Sequence, residues 1–229
     1  MPGIVIRGAE VPASGFGPGV AVTELLGDDQ GCRGLHQRRL GLAGGARLAG
    51  TGAGLGEAWY VITGTGFLDT ERAGRVALAP GTALWLEPDR EYECRADTDT
   101  GILAVTVRAG DVAGGPAQPV VRLADCVPER TGDREFRVLL SEGLTITQFA
   151  GLIPPGRAPA HHHTYDEVVH VLAGQGVVHL DGADAGIGPG TSIYLPPLTP
   201  HCLENTGAEV LQVLGVFYPA GSPAAKQTS

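Results

Sequence analysis

Apolar residues in this chain come in short runs rich in β-branched side chains. Glu57-Ala-Trp-Tyr-Val-Ile-Thr63, Glu167-Val-Val-His-Val-Leu-Ala173 and Thr191-Ser-Ile-Tyr-Leu195 each end at glycine or proline. That is how a strand enters a turn. No long stretch repeats its apolar residues at helical spacing, so little helix is expected. Glycine (36) and proline (17) are spread between the runs rather than bunched, which predicts many short strands joined by many turns.

The runs also repeat. The stretch from Glu57 to Gly66 matches that from Glu167 to Gly176, and Pro80-Gly-Thr-Ala-Leu-Trp-Leu-Glu-Pro88 matches Pro189-Gly-Thr-Ser-Ile-Tyr-Leu-Pro-Pro197. Gly41–Arg47 matches Gly151–Arg157, and Ile4-Val-Ile-Arg7 resembles Val120-Val-Arg-Leu123. The offset of about 110 residues is too long for a solenoid and suits one small β-barrel. The expected fold is therefore all-β, with two barrels in tandem. The first spans residues 1–112, a Gly/Pro-rich linker 113–119, and the second barrel 120–219. The last stretch, 220–229, carries no pattern and reads as a disordered tail.

The chemistry concentrates in the second half. In Gly156-Arg-Ala-Pro-Ala-His-His-His-Thr-Tyr-Asp-Glu167, His161 and His163 are two residues apart. An extended chain points such residues to one face. Glu167 lies a further even offset on and can rejoin that face. Downstream, Tyr194-Leu-Pro-Pro-Leu-Thr-Pro-His201 runs from a strand into a turn whose prolines fix the backbone. A rigid turn ending on histidine suits a metal ligand. Imidazole favours Zn, Cu, Fe and Ni; carboxylate favours Mn and Fe.

These residues resemble the two motifs of the cupins. The first is matched by Gly156, His161, His163, Glu167 and Gly174, and the second by Gly190, Pro196, His201 and Asn205. Two departures stand out: the Gly156–His161 gap is one residue short, and Leu198 occupies the place of a glycine. With the repeat, the resemblance extends to the bicupins and covers nearly the whole chain. It implies two double-stranded β-helix (jelly-roll) barrels, a divalent metal held by His161, His163, Glu167 and His201, and a homodimer. The first barrel keeps the fold signals without the imidazoles: Thr51, Ala53 and Tyr92 stand where the second has His161, His163 and His201. Only Glu57 has a counterpart among the ligands, so a structural role is expected there.

Three imidazoles and one carboxylate leave open positions on a six-coordinate ion, a catalytic rather than structural arrangement. A small oxygenated molecule bound in bidentate fashion fits it. With Fe(II), the favoured ion, a second open position could take O2, and dioxygenase chemistry is the first expectation. With Mn, Ni, Zn or Cu the alternatives are isomerisation, decarboxylation, dehydration or cyclisation, or a binding protein without turnover. Arg157 could grip a substrate carboxylate, Tyr165 could donate a proton, and His179 could face the cavity. His170 falls on the opposite strand parity and is expected to serve packing or an interface. Trp59, Tyr60 and Trp85 are expected to be packed core. The net charge of −9 argues against nucleic acid and anionic membranes. No apolar run reaches membrane-spanning length, and cytoplasm is the expected compartment. Cys32, Cys94, Cys126 and Cys202 share no metal or redox spacing.

Overall fold

Alternation of side chains decides how each strand is used. In the strand Gly56–Thr63, Trp59 and Val61 point into one apolar cluster, while Ala58 and Tyr60 point into another. Both faces are covered, and the strand therefore reads as a nearly continuous apolar run. The computed structural model describes residues 3–51, 54–107 and 115–224. Their strands form four sheets, and every pairing is antiparallel. It is an antiparallel jelly-roll architecture in two halves. Three 3-10 turns are the helical elements among these residues.

In the N-terminal half a seven-stranded sheet is centred on Gly56–Thr63 and Thr100–Val107 and faces a four-stranded sheet. Val22, Leu40, Trp59, Leu84 and Ile102 fill the space between them. The C-terminal half repeats the plan. Its seven-stranded sheet is centred on Asp166–Ala173 and Leu211–Tyr218, and its four-stranded sheet contains Gly176–Leu180 and His201–Asn205. Val169, Val171, Ile193 and Val213 lie between those two sheets. A further cluster takes Leu25, Tyr60 and Trp85 from one half and Leu139, Val168 and Tyr194 from the other. The outer faces of the two large sheets thus pack on each other. Trp59, Tyr60 and Trp85 are packed core, at 0%, 4% and 3% exposure. His170 lies with Val168 on the shared face; it is buried, with Nδ1 2.9 Å from the Ser192 hydroxyl. Desolvation pushes its pKa down to about 4, which keeps the ring neutral.

Two strands cross between the halves. Strand Ile4–Arg7 leaves the N-terminal half and pairs with Thr191–Leu195, from Ile4 opposite Tyr194 to Arg7 opposite Thr191. Strand Val120–Arg122 makes the reverse crossing and pairs with Thr82–Leu86. The two halves exchange their first strands. Side chains explain the choice: Val5 packs into the C-terminal interior, Val120 into the N-terminal interior, and Ile4, Ile6 and Val121 onto the shared cluster. Matching backbone bonds close each crossing, Gly8 N to Gly190 O at 3.0 Å and Leu123 N to Gly81 O at 2.8 Å. Residues 113–114 of the expected linker and 225–229 of the expected tail lie outside the described residues.

The pairs Gly66 and Gly176 show what the repeat preserves. A Cβ on Gly66 would stand 2.1 Å from the Arg95 carbonyl oxygen, and one on Gly176 would stand 2.2 Å from that of Glu204. Backbones cross too closely there for any side chain.

Deleting residues 1–7 removes the exchanged strand and its three half-buried aliphatic side chains. The thermal midpoint should fall by about 5–10 °C, read by circular dichroism. An unchanged midpoint would show that the crossing contributes nothing to stability.

Candidate metal centre

The turn after Leu195 and the histidine run are fastened together. His161 N donates to His201 O at 3.0 Å and His201 N returns the bond at 2.9 Å; Leu198 N donates to His163 O at 2.7 Å. Leu198 takes φ +65°, the left-handed conformation, which explains why glycine fits the motif there. The leucine is accommodated because its side chain is exposed to solvent.

This fastening brings His161, His163 and His201 together. One ring nitrogen from each lies within 4.8 Å of the others, and all three residues are buried. His161 Nδ1 is 3.2 Å from Pro159 O, and His201 Nδ1 is 2.8 Å from Thr199 O. A carbonyl oxygen can only accept, so Nδ1 carries the proton and Nε2 of the neutral ring keeps its lone pair. Desolvation lowers the His201 pKa further. His163 stacks on Tyr165, with centroids 4.8 Å apart and planes 11° apart.

Glu167 stands beside this triad, outside the mutual 4.8 Å cluster, with Oε2 3.5 Å from His163 Nε2. It is 5% exposed, and Oε2 has no hydrogen-bond partner. Desolvation pushes its pKa up to about 8. An orphaned carboxylate oxygen beside imidazoles with available lone pairs is a donor set suited to a divalent cation.

The four residues open on a cavity of about 80 Å³. Phe136, Phe149, Phe217 and Val213 form its apolar wall, and Arg134 supplies a guanidinium. Arg134 Nη2 donates to Leu203 O at 2.9 Å, no carboxylate pairs with it among the described residues, and desolvation lowers its pKa. Sequence reasoning missed this arginine. Its signal was parity: Arg134 precedes the inward-facing Phe136 by two residues in one strand.

The other expected site residues sit elsewhere. Arg157 is exposed and does not line the cavity. Its strand, Gly156–Arg157, belongs to the edge of the small sheet, and parity turns it outward. His179 also faces away from the cavity, because its neighbour Val178 fills the interior. Its two ring nitrogens each lie 2.8 Å from a carboxylate, Asp184 and Glu204. Tyr165 backs His163 and turns its hydroxyl to Ser222 O at 3.3 Å, and burial raises its pKa. Within the expected tail, Gly221 and Ser222 are hydrogen bonded and Pro223 lines the cavity. Cys202 is 1% exposed, and all four cysteines are free thiols.

At the matching place in the N-terminal half, Glu57 already has partners. Arg38 Nη2 donates to Oε1 at 2.6 Å and Trp59 Nε1 to Oε2 at 2.8 Å. Tyr92, at the position of His201, packs edge-on against Trp59 with centroids 5.2 Å apart. Ala53 lies outside the described residues.

A family model described as "Cupin domain" matches residues 150–217. An oxalate-binding protein of Thermotoga maritima is 33% identical over 111 residues, which is 43% of this chain and 92% of that one. The chain belongs to the cupin superfamily. This cupin is also 40% identical over 58 residues to an uncharacterised protein of Methanocaldococcus jannaschii, a match spanning 25% of the chain and 46% of the relative. Less than half of that relative's length is therefore covered. A mutant of Bacillus subtilis oxalate decarboxylase shares the fold, with a TM-score of 0.80 at 13% identity over 98% of this chain and 79% of that one. No helix among the described residues is long and apolar enough to cross a membrane.

Two substitutions test this geometry. Leu198→Gly relieves the left-handed backbone and should stabilise the protein by about 1 kcal/mol in urea unfolding. Arg38→Met leaves the Glu57 charge without its cation in the barrel and should cost about 2–4 kcal/mol, with metal content unchanged. Uptake of a second equivalent of metal on that change would place a second site in the N-terminal half.

Proposed function

We propose that this cupin holds a divalent metal ion on His161, His163, His201 and Glu167 and acts on a small carboxylate of the size of oxalate. The observation that carries this reading is Arg134, a guanidinium on the wall of the same small cavity that no carboxylate pairs among the described residues. A divalent ion with three neutral imidazoles and one carboxylate leaves a net charge of about +1, to which Arg134 adds another. A dianion neutralises both. Similarity to an oxalate-binding protein and to oxalate decarboxylase supports the same substrate class.

When bound, the ion supplies Lewis-acid polarisation of a carboxylate oxygen. The chain's own residues do the rest. Arg134 forks onto the carboxylate and orients it. Phe136, Phe149 and Phe217 keep water from the reacting carbon and strengthen every charge interaction inside. The proton that takes the place of carbon dioxide on carbon comes from solvent, and no oxidant is needed, so non-oxidative decarboxylation is favoured over dioxygenase chemistry. Drug-sized aromatic substrates need cavities of roughly 300 Å³ or more, and about 80 Å³ is open here. The N-terminal half serves as a metal-free support, its glutamate neutralised internally by Arg38.

Protein purified without chelator should contain about one equivalent of transition metal, and His161→Ala or His201→Ala should abolish it. Calorimetry should show oxalate binding that weakens by about 10–100-fold in Arg134→Ala, with metal retained and Arg157→Ala unaffected. Metal surviving both histidine changes would refute the ligand set. Oxygen uptake with enol substrates, without oxalate binding, would return the dioxygenase reading.

A further inference from the structure

We propose that residues 219–224 form a strap that sets the size of molecule the site admits, passing two-carbon carboxylates and excluding bulkier ones. The inference rests on the carboxylate reading above and extends it to a segment with no ligand or polar wall group.

The strap follows directly from Leu211–Tyr218, whose Phe217 lies on the cavity wall. It then places Pro223 on the cavity lining. Its fastening is local. The Thr147 hydroxyl donates to Gly221 O at 2.8 Å and accepts from Gly221 N at 3.2 Å. Thr147 is 2% exposed and does not line the cavity, so its hydroxyl serves the strap alone. The Tyr165 hydroxyl donates to Ser222 O at 3.3 Å, and Ser222 Oγ accepts from Ala224 N at 3.2 Å to shape the turn.

Gly221 is required by contact. A Cβ there would lie 2.8 Å from a Tyr165 ring carbon, so the bare backbone lies flat on the ring. That ring stacks on His163 and packs on Phe217, with centroids 4.8 and 4.5 Å away. The strap is thus seated on the ligand side of the cavity. No strand pairs with it among the described residues, and its removal would widen the mouth without unpairing a sheet.

Two variants test this: a chain ending after Pro219, and full-length Thr147→Val, which keeps the shape of the side chain and removes both hydroxyl bonds. Each is compared with the unaltered protein for metal content and for calorimetric binding of oxalate, succinate and phthalate. The expected result is metal and oxalate affinity within about threefold of the unaltered protein, with the preference for oxalate over phthalate falling at least about tenfold. Thr147→Val should show the same direction if the shortened chain fails to fold. An unchanged preference in a variant that retains metal overturns the proposal. Metal lost from the variants alone also overturns it, because the strap would then be a ligand support. An unaltered protein that holds metal but binds no oxalate refutes the carboxylate reading and the strap's role together.

Discussion

Burial of both faces of the two large sheets is the constraint from which the other features follow. Strand Asp166–Ala173 lies between Thr191–Leu195 and Leu211–Tyr218, with its own barrel on one face and the other half of the chain on the second. A strand held on four sides has little freedom, and Glu167 at its start inherits that rigidity. The carboxylate is positioned by the fold before any ligand arrives. His161 and His163 come from irregular backbone, and His161 is held by reciprocal bonds to His201 at the start of its strand. Rigid strand and fastened loop together make a preorganised donor set.

The two halves treat the same buried glutamate in different ways. Glu57 is neutralised internally, by a guanidinium and an indole N–H. Glu167 is left with an oxygen that no donor reaches. Burying an unsatisfied carboxylate is costly, and its raised pKa reports that cost. The repeat therefore contains its own comparison: one copy pairs the glutamate internally, and the other leaves one of its oxygens without a hydrogen-bond donor.

Most of the fold was readable because β-branched runs, glycine punctuation and an internal repeat agree with one another. The strand exchange was not. Ile4–Arg7 and Val120–Arg122 look alike, and nothing in their composition says which edge each will meet. The site was partly readable. His161, His163 and His201 stand in marked local patterns, and the structure brings their rings together. Arg157 and His179 drew attention because they lie close to the ligands in sequence, yet strand parity turns both outward. Arg134 lies far from that run, and only the pairing of its hairpin against Thr147–Ile153 brings it to the cavity. Proximity along the chain was a poor guide where alternation was a good one. The segment after Pro219 carries no periodic signal at all, since its place is set by single contacts with Thr147 and Tyr165.

The reciprocal crossing of the first strands has a historical reading. Two identical single-barrel chains that traded their leading strands would form a swapped homodimer with a twofold axis through the shared sheets. Joining those chains end to end converts an association that depends on concentration into one that does not. Selection on the second copy's donor set is then released from the first, because the pair can no longer come apart. The asymmetry between Glu57 and Glu167 is the kind of divergence such a fusion permits.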